Sequence, residues 1–156
     1  MKICVYCSSS DELDSKYYKE GRAFGRELAK RGHSLVYGGY CKGIMAAVAE
    51  GVHENGGEIT AVVPKVFDKE GFTYEGCTRV IKTPDMNSRK KTMEAEADAI
   101  AVLPGGIGTM DEFFEALVLK TIGEFDKPVG VLNTAGCYDI LVQLLDRSTE
   151  DGFLST

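Results

Sequence analysis

Short β-branched runs alternate with helical stretches along the whole chain, and this alternation restricts the fold more than any other feature. The runs predict strands over Lys2 to Tyr6, Ser34 to Tyr37, Glu58 to Val63, Arg79 to Lys82, Ala99 to Leu103 and Pro128 to Leu132. Several are apolar on both faces, as a buried parallel sheet requires. Between them, Ser15 to Arg31, Gly43 to Glu54, Ser88 to Ala97, Met110 to Ile122 and Tyr138 to Ser148 read as helices, and Phe24, Leu28 and Arg31 show the spacing of a packed face. Strand, helix, strand repeated five times predicts a doubly wound parallel α/β sheet flanked by helices. Gly32, Gly56-Gly57 and Gly123 stand where the glycines that end such helices belong. With 156 residues, no internal repeat and no linker, one domain over residues 1–156 is expected.

Charge and composition exclude several roles. Eighteen Lys and Arg against 24 Asp and Glu give a net charge of -6, which repels a phosphate backbone, so a nucleic-acid partner is disfavoured. No apolar run approaches the roughly 18 to 20 residues of a membrane span. Met1 leads straight into Lys2-Ile3-Cys4-Val5-Tyr6 without an apolar signal core, so no membrane association and a cytoplasmic location are expected. The five cysteines are odd in number and scattered, which fits reduced thiols. Cys4 and Cys7 spell C-x-x-C within a strand, where residues three apart face opposite sides, so no metal site is expected there.

Ligands of open α/β sheets bind outside the carboxyl ends of the strands, so the segments that follow each strand carry the functional information. Cys7-Ser8-Ser9-Ser10 follows the first strand and offers hydroxyls to an anion or simply closes a turn. Gly38-Gly39-Tyr40-Cys41-Lys42-Gly43 follows the second, with the glycine spacing of a P-loop, but Ile44-Met45 stands where Lys and Ser or Thr must hold phosphates and magnesium. Asp68 to Gly76 is turn-rich and polar, and reads as a surface loop after the third strand.

The fifth strand leads into Pro104-Gly105-Gly106-Ile107-Gly108-Thr109-Met110-Asp111-Glu112. Its glycines leave bare amides at a helix start, where unsatisfied N–H groups and the positive dipole end favour a phosphate. Asp111 stands where a dinucleotide fingerprint needs its third glycine, so a monophosphate is indicated rather than NAD or FAD. Glu112 admits two readings. Thr109 to Glu112 spells a capping box, T-x-x-E. Alternatively, Glu112 is a carboxylate held ionised by the helix dipole beside a bound sugar phosphate, where it stabilises charge on a sugar carbon or activates water. Before the fifth strand, Met86-Asn87-Ser88-Arg89-Lys90-Lys91 also reads two ways: Asn87 or Ser88 as helix cap with a solvated basic face, or Arg89 as a two-pronged anion ligand.

Met86-Asn87-Ser88-Arg89-Lys90 together with Pro104-Gly105-Gly106-Ile107-Gly108-Thr109-Met110-Asp111-Glu112 resembles the paired signature of the Lonely Guy family, the cytokinin riboside 5′-monophosphate phosphoribohydrolases often mislabelled lysine decarboxylases. Weaker agreement runs from Tyr6-Cys7-Ser8-Ser9 through Tyr37-Gly38-Gly39, Gly43-Ile44-Met45 and Val63-Pro64 to Lys127-Pro128-Val129, Asn133 and Gly152-Phe153. The resemblance implies a Rossmann-like homodimer that hydrolyses the N-glycosidic bond of a nucleoside 5′-monophosphate, with no metal or organic cofactor. It implies Arg89 and Glu112 as the catalytic pair and Gly105, Gly106, Ile107, Gly108 and Thr109 as the phosphate cradle. Lys90, Glu70, Ser9 and Gly39 are its further substrate contacts.

The chain departs from the family pattern at Tyr40, a usual glycine, at Ala46, and in having no tryptophan. It also stops at Thr156, short of the terminal helix many members carry. A competing reading is a carrier that binds a phosphorylated ligand without cleaving it, similar to molybdenum-cofactor carrier proteins. Retention of both Arg89 and Glu112 favours the enzyme. A decarboxylase dependent on pyridoxal phosphate is disfavoured, because no lysine is marked out for a Schiff base.

Overall fold

The computed structural model describes residues 1–154, so the expected domain end at Thr156 lies outside the described residues. Six strands form one sheet: β1 (Lys2–Tyr6), β2 (Ser34–Tyr37), β3 (Ile59–Pro64), β4 (Arg79–Thr83), β5 (Ala99–Val102) and β6 (Val129–Val131). Every neighbouring pair is parallel, and the order across the sheet is β4-β3-β2-β1-β5-β6. The chain winds outward from β1 to β4, then returns past β1 to lay down β5 and β6. This is the predicted doubly wound sheet, with its reversal of strand order between β1 and β5.

Side-chain alternation along β1 divides the core into two layers. Val5 and Cys7 pack on one face with Leu35, Tyr37, and Leu28 and Val48 from α1 (Ser15–Lys30) and α2 (Gly43–His53). Cys4 and Tyr6 pack on the other with Met93 of α3 (Met86–Glu96), Phe113 and Ala116 of α4 (Ile107–Thr121), and Tyr138, which precedes α5 (Asp139–Glu150). Cys4 and Cys7 therefore lie on opposite sides of the sheet as free thiols. Gly32, Gly56 and Gly123 take positive φ of 71°, 70° and 78° after α1, α2 and α4, as the helix-ending role requires.

Two of the helix starts that differ from the sequence expectation bear on the site. The helix predicted from Ser88 begins at Met86, and its cap is Asp85, whose carboxylate accepts from the Ser88 N–H at 2.8 Å. The helix predicted from Met110 begins at Ile107 and is capped by Gly106 without a side-chain bond. Glycine is a poor helix former, so Gly108 conceals this first turn from a propensity reading. Thr109 is then already inside the helix and Glu112 lies in its second turn, which removes the capping-box reading of both.

Candidate active site

A cleft of about 680 Å³ opens at the carboxyl ends of the strands, beside the reversal between β1 and β5. The loop after β1 supplies Ser8, Ser9 and Ser10 to its wall, the loop after β2 supplies Gly38 and Tyr40, and α3 and α4 close the remaining side. The serine loop is fixed by its own turns. Ser8 Oγ accepts from the Ser10 N–H at 3.1 Å, Ser10 Oγ accepts from the Glu12 N–H at 3.2 Å, and Ser8 N–H donates to the Pro104 carbonyl at 3.0 Å. The last bond joins the β1 loop to the glycine-rich start of α4.

Arg89 and Glu112 meet across this cleft. Arg89 Nη1 donates to Glu112 Oε1 at 3.2 Å, and its Nε donates to the buried Val62 carbonyl at 3.1 Å. Their side chains keep only 10% and 12% of their surface exposed, while both still line the cleft. Gly38 makes this placement possible, because a Cβ there would lie 1.8 Å from Arg89 Nη2. Burial pushes the Glu112 carboxyl up to about 7, against the opposing pull of the Arg89 guanidinium. This corrects the expectation of a carboxylate held ionised by the helix dipole: in the second turn desolvation outweighs the dipole. A group that titrates near neutrality is suited to accept or stabilise charge during a reaction.

The α4 N-terminus presents the unpaired amides of its first turn beside this pair. Cβ atoms added at Gly106 or Gly108 would meet no atom within 4 Å, so the backbone here faces open space. Gly105 differs: a Cβ would fall 2.0 Å from Thr109 Oγ1, so its bare backbone serves to seat the buried Thr109.

Three aromatic rings form another part of the cleft wall. Tyr40 stacks on Phe72 with centroids 4.6 Å apart, and Phe72 stacks on Phe67 at 5.3 Å and 9° between planes. Phe67 ends a 3-10 turn, Lys65–Phe67, and Phe72 belongs to the polar loop of Asp68 to Gly76. That loop is stitched to the β2 loop, since Cys41 N–H donates to the Phe72 carbonyl and Tyr74 N–H to the Gly39 carbonyl, each at 3.0 Å. The loop is at the surface as expected, but it also builds part of the cleft. Its aromatic role was concealed because Phe67 and Phe72 are isolated in a polar segment and meet Tyr40 only in the folded chain.

Of the site residues read from sequence, the structure gathers Arg89, Glu112, Ser9, Gly106, Gly108 and Thr109 around the cleft. The other five are not among its lining residues, although Ile107 still places its backbone amide at the α4 start. Glu70 is exposed on the loop, where Lys69 rather than Glu70 lines the cleft. Gly39 packs toward Val63 and Ala61, leaving Gly38 to face the cavity. Gly105 sits beneath Thr109, and the Ile107 side chain is 89% exposed. Lys90 turns to Asp111 and Glu115 on α4. The residues that the sequence reading passed over are Tyr40 as an aromatic wall, Phe67, Phe72, Met45 and Met86.

A profile of the family described as "possible lysine decarboxylase" matches residues 45–156. Cytokinin riboside 5′-monophosphate phosphoribohydrolase LOG4 of Arabidopsis thaliana is 39% identical over 155 residues, covering 99% of this chain and 72% of that protein. The chain belongs to the Lonely Guy family. A second Arabidopsis member, LOG2, is 36% identical over 155 residues, with 99% and 73% of the two chains covered. Among solved structures, TM1055 superposes with a TM-score of 0.68 at 29% identity, covering 82% of this chain and 71% of that one. The molybdenum cofactor carrier protein of Chlamydomonas reinhardtii reaches a TM-score of 0.75 at 22% identity, covering 94% and 85%, a likeness of fold. The two Lonely Guy signature segments are those that bring Arg89 and Glu112 into contact.

Proposed function

We propose that this Lonely Guy family member hydrolyses the N-glycosidic bond of a nucleoside 5′-monophosphate, AMP or an N6-modified AMP, to free base and ribose 5-phosphate. The supporting observation is that a desolvated carboxyl, Glu112, faces the same cleft as the open amides of the α4 start. The Arabidopsis relatives carry phosphoribohydrolase names, which supports the same chemistry here.

In this reading the 5′-phosphate docks on the amides of Ile107, Gly108 and Thr109, and its binding energy holds the sugar near Glu112. The base lies against Tyr40 and Phe72. As the C1′–N bond breaks, its electrons leave with the base and positive charge spreads over C1′ and the ring oxygen. Ionised Glu112 stabilises that charge and takes a proton from the attacking water, whose oxygen bonds to C1′. The proton that Glu112 took from the water then passes to the departing base, which completes the base and leaves Glu112 ionised again. Arg89 fixes the carboxylate through its bond to Oε1 and is itself anchored on Val62.

The chain acts as a homodimer in the cytoplasm in the same reading. Phe114, Val118 and Ile122 leave an exposed apolar stripe on α4, continued by Leu144 on α5, which suits a second copy. The free cysteines suit a reducing compartment. No helix among the described residues is long and apolar enough to cross a membrane.

The test incubates purified protein with AMP and with N6-isopentenyl AMP and quantifies free base and ribose 5-phosphate. Equimolar release of both supports the hydrolase, whereas stoichiometric nucleotide binding without release favours the carrier.

A further inference from the structure

Lys69 lies on the loop after β3, and its backbone is fastened to both phenylalanines of the aromatic wall. Its N–H donates to the Phe67 carbonyl at 2.8 Å, and its carbonyl accepts from the Phe72 N–H at 3.1 Å. The rings of those two residues stack at 5.3 Å with 9° between their planes, and Phe72 also stacks on Tyr40. One short turn therefore carries a flat apolar face and, beside it, a flexible stem that ends in a positive charge. Lys69 lines the cleft together with both rings.

That charge has no acidic partner. Arg89 and Lys69 are the two cations that line the cleft. Arg89 is committed to Glu112 and to the Val62 carbonyl. Lys69 forms no ion pair among the described residues. Its acidic neighbours in the chain do not neutralise it: Asp68 pairs with Lys82 of β4 at 2.7 Å, and Glu70 is exposed and does not line the cleft.

An ammonium carries three donors and no acceptor. A base that rests on the rings offers it ring nitrogens with free lone pairs, whereas an exocyclic amino group is itself a donor and offers it nothing. In a purine joined to ribose through N9, N3 and N7 each stand one carbon away from N9. The electrons of the breaking C1′–N9 bond spread onto both. A hydrogen bond at either nitrogen thus strengthens as the bond breaks, which is the property that lowers a barrier.

We propose that Lys69 is a base-contacting catalytic residue, which donates a hydrogen bond to N3 or N7 of the stacked purine and stabilises the negative charge that the base takes up as it leaves. The proposal rests on the hydrolase reading for this catalytic consequence, and on the turn shared by Lys69, Phe67 and Phe72 for the contact. Lys69 keeps its proton throughout. The bond electrons go to the base, the water oxygen bonds to C1′, and the proton that neutralises the base comes from that water by way of Glu112. The ammonium acts on the leaving base while the carboxylate acts on the sugar.

The first test measures binding alone, in protein carrying Glu112→Gln so that the nucleotide stays uncleaved. Calorimetry compares AMP, 3-deaza-AMP, 7-deaza-AMP and ribose 5-phosphate. AMP is expected to bind roughly 10-fold more tightly than the analogue that lacks the contacted nitrogen, as the loss of a charge-assisted hydrogen bond implies. Adding Lys69→Met is expected to erase that difference and to leave ribose 5-phosphate unchanged. A preference that survives Lys69→Met, equal binding of AMP and both analogues, or an equal loss for AMP and ribose 5-phosphate overturns the proposal.

The second test measures turnover of AMP with Glu112 in place. Lys69→Met and Lys69→Gln are expected to lower kcat on the order of 10-fold, and Lys69→Arg to keep most of the rate. Unchanged kcat in both neutral variants overturns the catalytic role. Lys69 is exposed, so these replacements leave the core intact. A parent protein that releases no base, while Lys69→Met still erases the binding preference, contradicts the hydrolase reading and keeps the contact. A parent that releases base, with neither readout moved by Lys69→Met, contradicts the proposal and keeps the hydrolase reading.

Discussion

Arg89 donates to Glu112 at 3.2 Å in a pocket that leaves each side chain only about a tenth exposed. Removing two opposite charges from water often costs more than their attraction returns, so such a pair is a poor device for stability alone. Its effect is to put a carboxyl that titrates at about 7 beside the open backbone amides of the α4 start.

The first consequence is a pH–rate profile. Ionised Glu112 is the active form, so kcat/KM for AMP rises with pH through about 7 and levels above it. The substrate phosphate ionises near pH 6, about one unit lower, and is separated by titrating AMP alone. A rate that falls through the same range would assign Glu112 as a proton donor instead.

Stability responds in the opposite sense. The folded carboxyl is raised from 4.5 to about 7, so between those values the folded chain binds more protons than the unfolded one. The Glu112 contribution is fully present below pH 4.5 and is lost as pH rises through about 7. Urea unfolding across this window is expected to show a steeper decline in stability for the parent than for Glu112→Gln. Identical slopes would remove Glu112 from the linkage.

Gly38 yields a mutation that injures catalysis from outside the charged pair. A Cβ at this position would stand 1.8 Å from Arg89 Nη2 and must displace the guanidinium. Gly38→Ala is expected to lower kcat as Arg89→Ala does, with an unchanged far-UV circular dichroism spectrum. Normal turnover in either variant would remove Arg89 from the mechanism.

In the proposed function the base lies against the aromatic wall. Phe72 lies between Tyr40 and Phe67, so Phe72→Ala removes the centre of the stack. Loss of one stacking face costs about 1–3 kcal/mol per base. Calorimetry is expected to show that loss for AMP and much less for ribose 5-phosphate, which has no base; equal losses for both would place the base elsewhere.

The sheet was legible because buried parallel strands such as Val62 and Ile100 leave periodicity and glycine punctuation in the chain itself. The Arg89–Glu112 pair was legible through its family signature, although the two residues are 23 apart in the chain and meet only in three dimensions. The ion pairs of Lys90 were hidden for the same reason. Its neighbour enters the cleft, and nothing in the local sequence shows that Lys90 itself turns toward Asp111 and Glu115 on another helix. The shift of Glu112 toward neutrality was equally hidden, since burial is a property of the packed site and only the helix dipole shows along the chain. Tyr40, Phe67 and Phe72 were scattered across two loops, with no period to unite them.

The most direct measurement is a single-turnover assay of Glu112→Gln with AMP, paired with calorimetric binding of the same nucleotide. Binding close to that of the parent, with base release slowed on the order of 10²- to 10⁴-fold, is the expected result. Base release at the parent rate would contradict a catalytic role for Glu112.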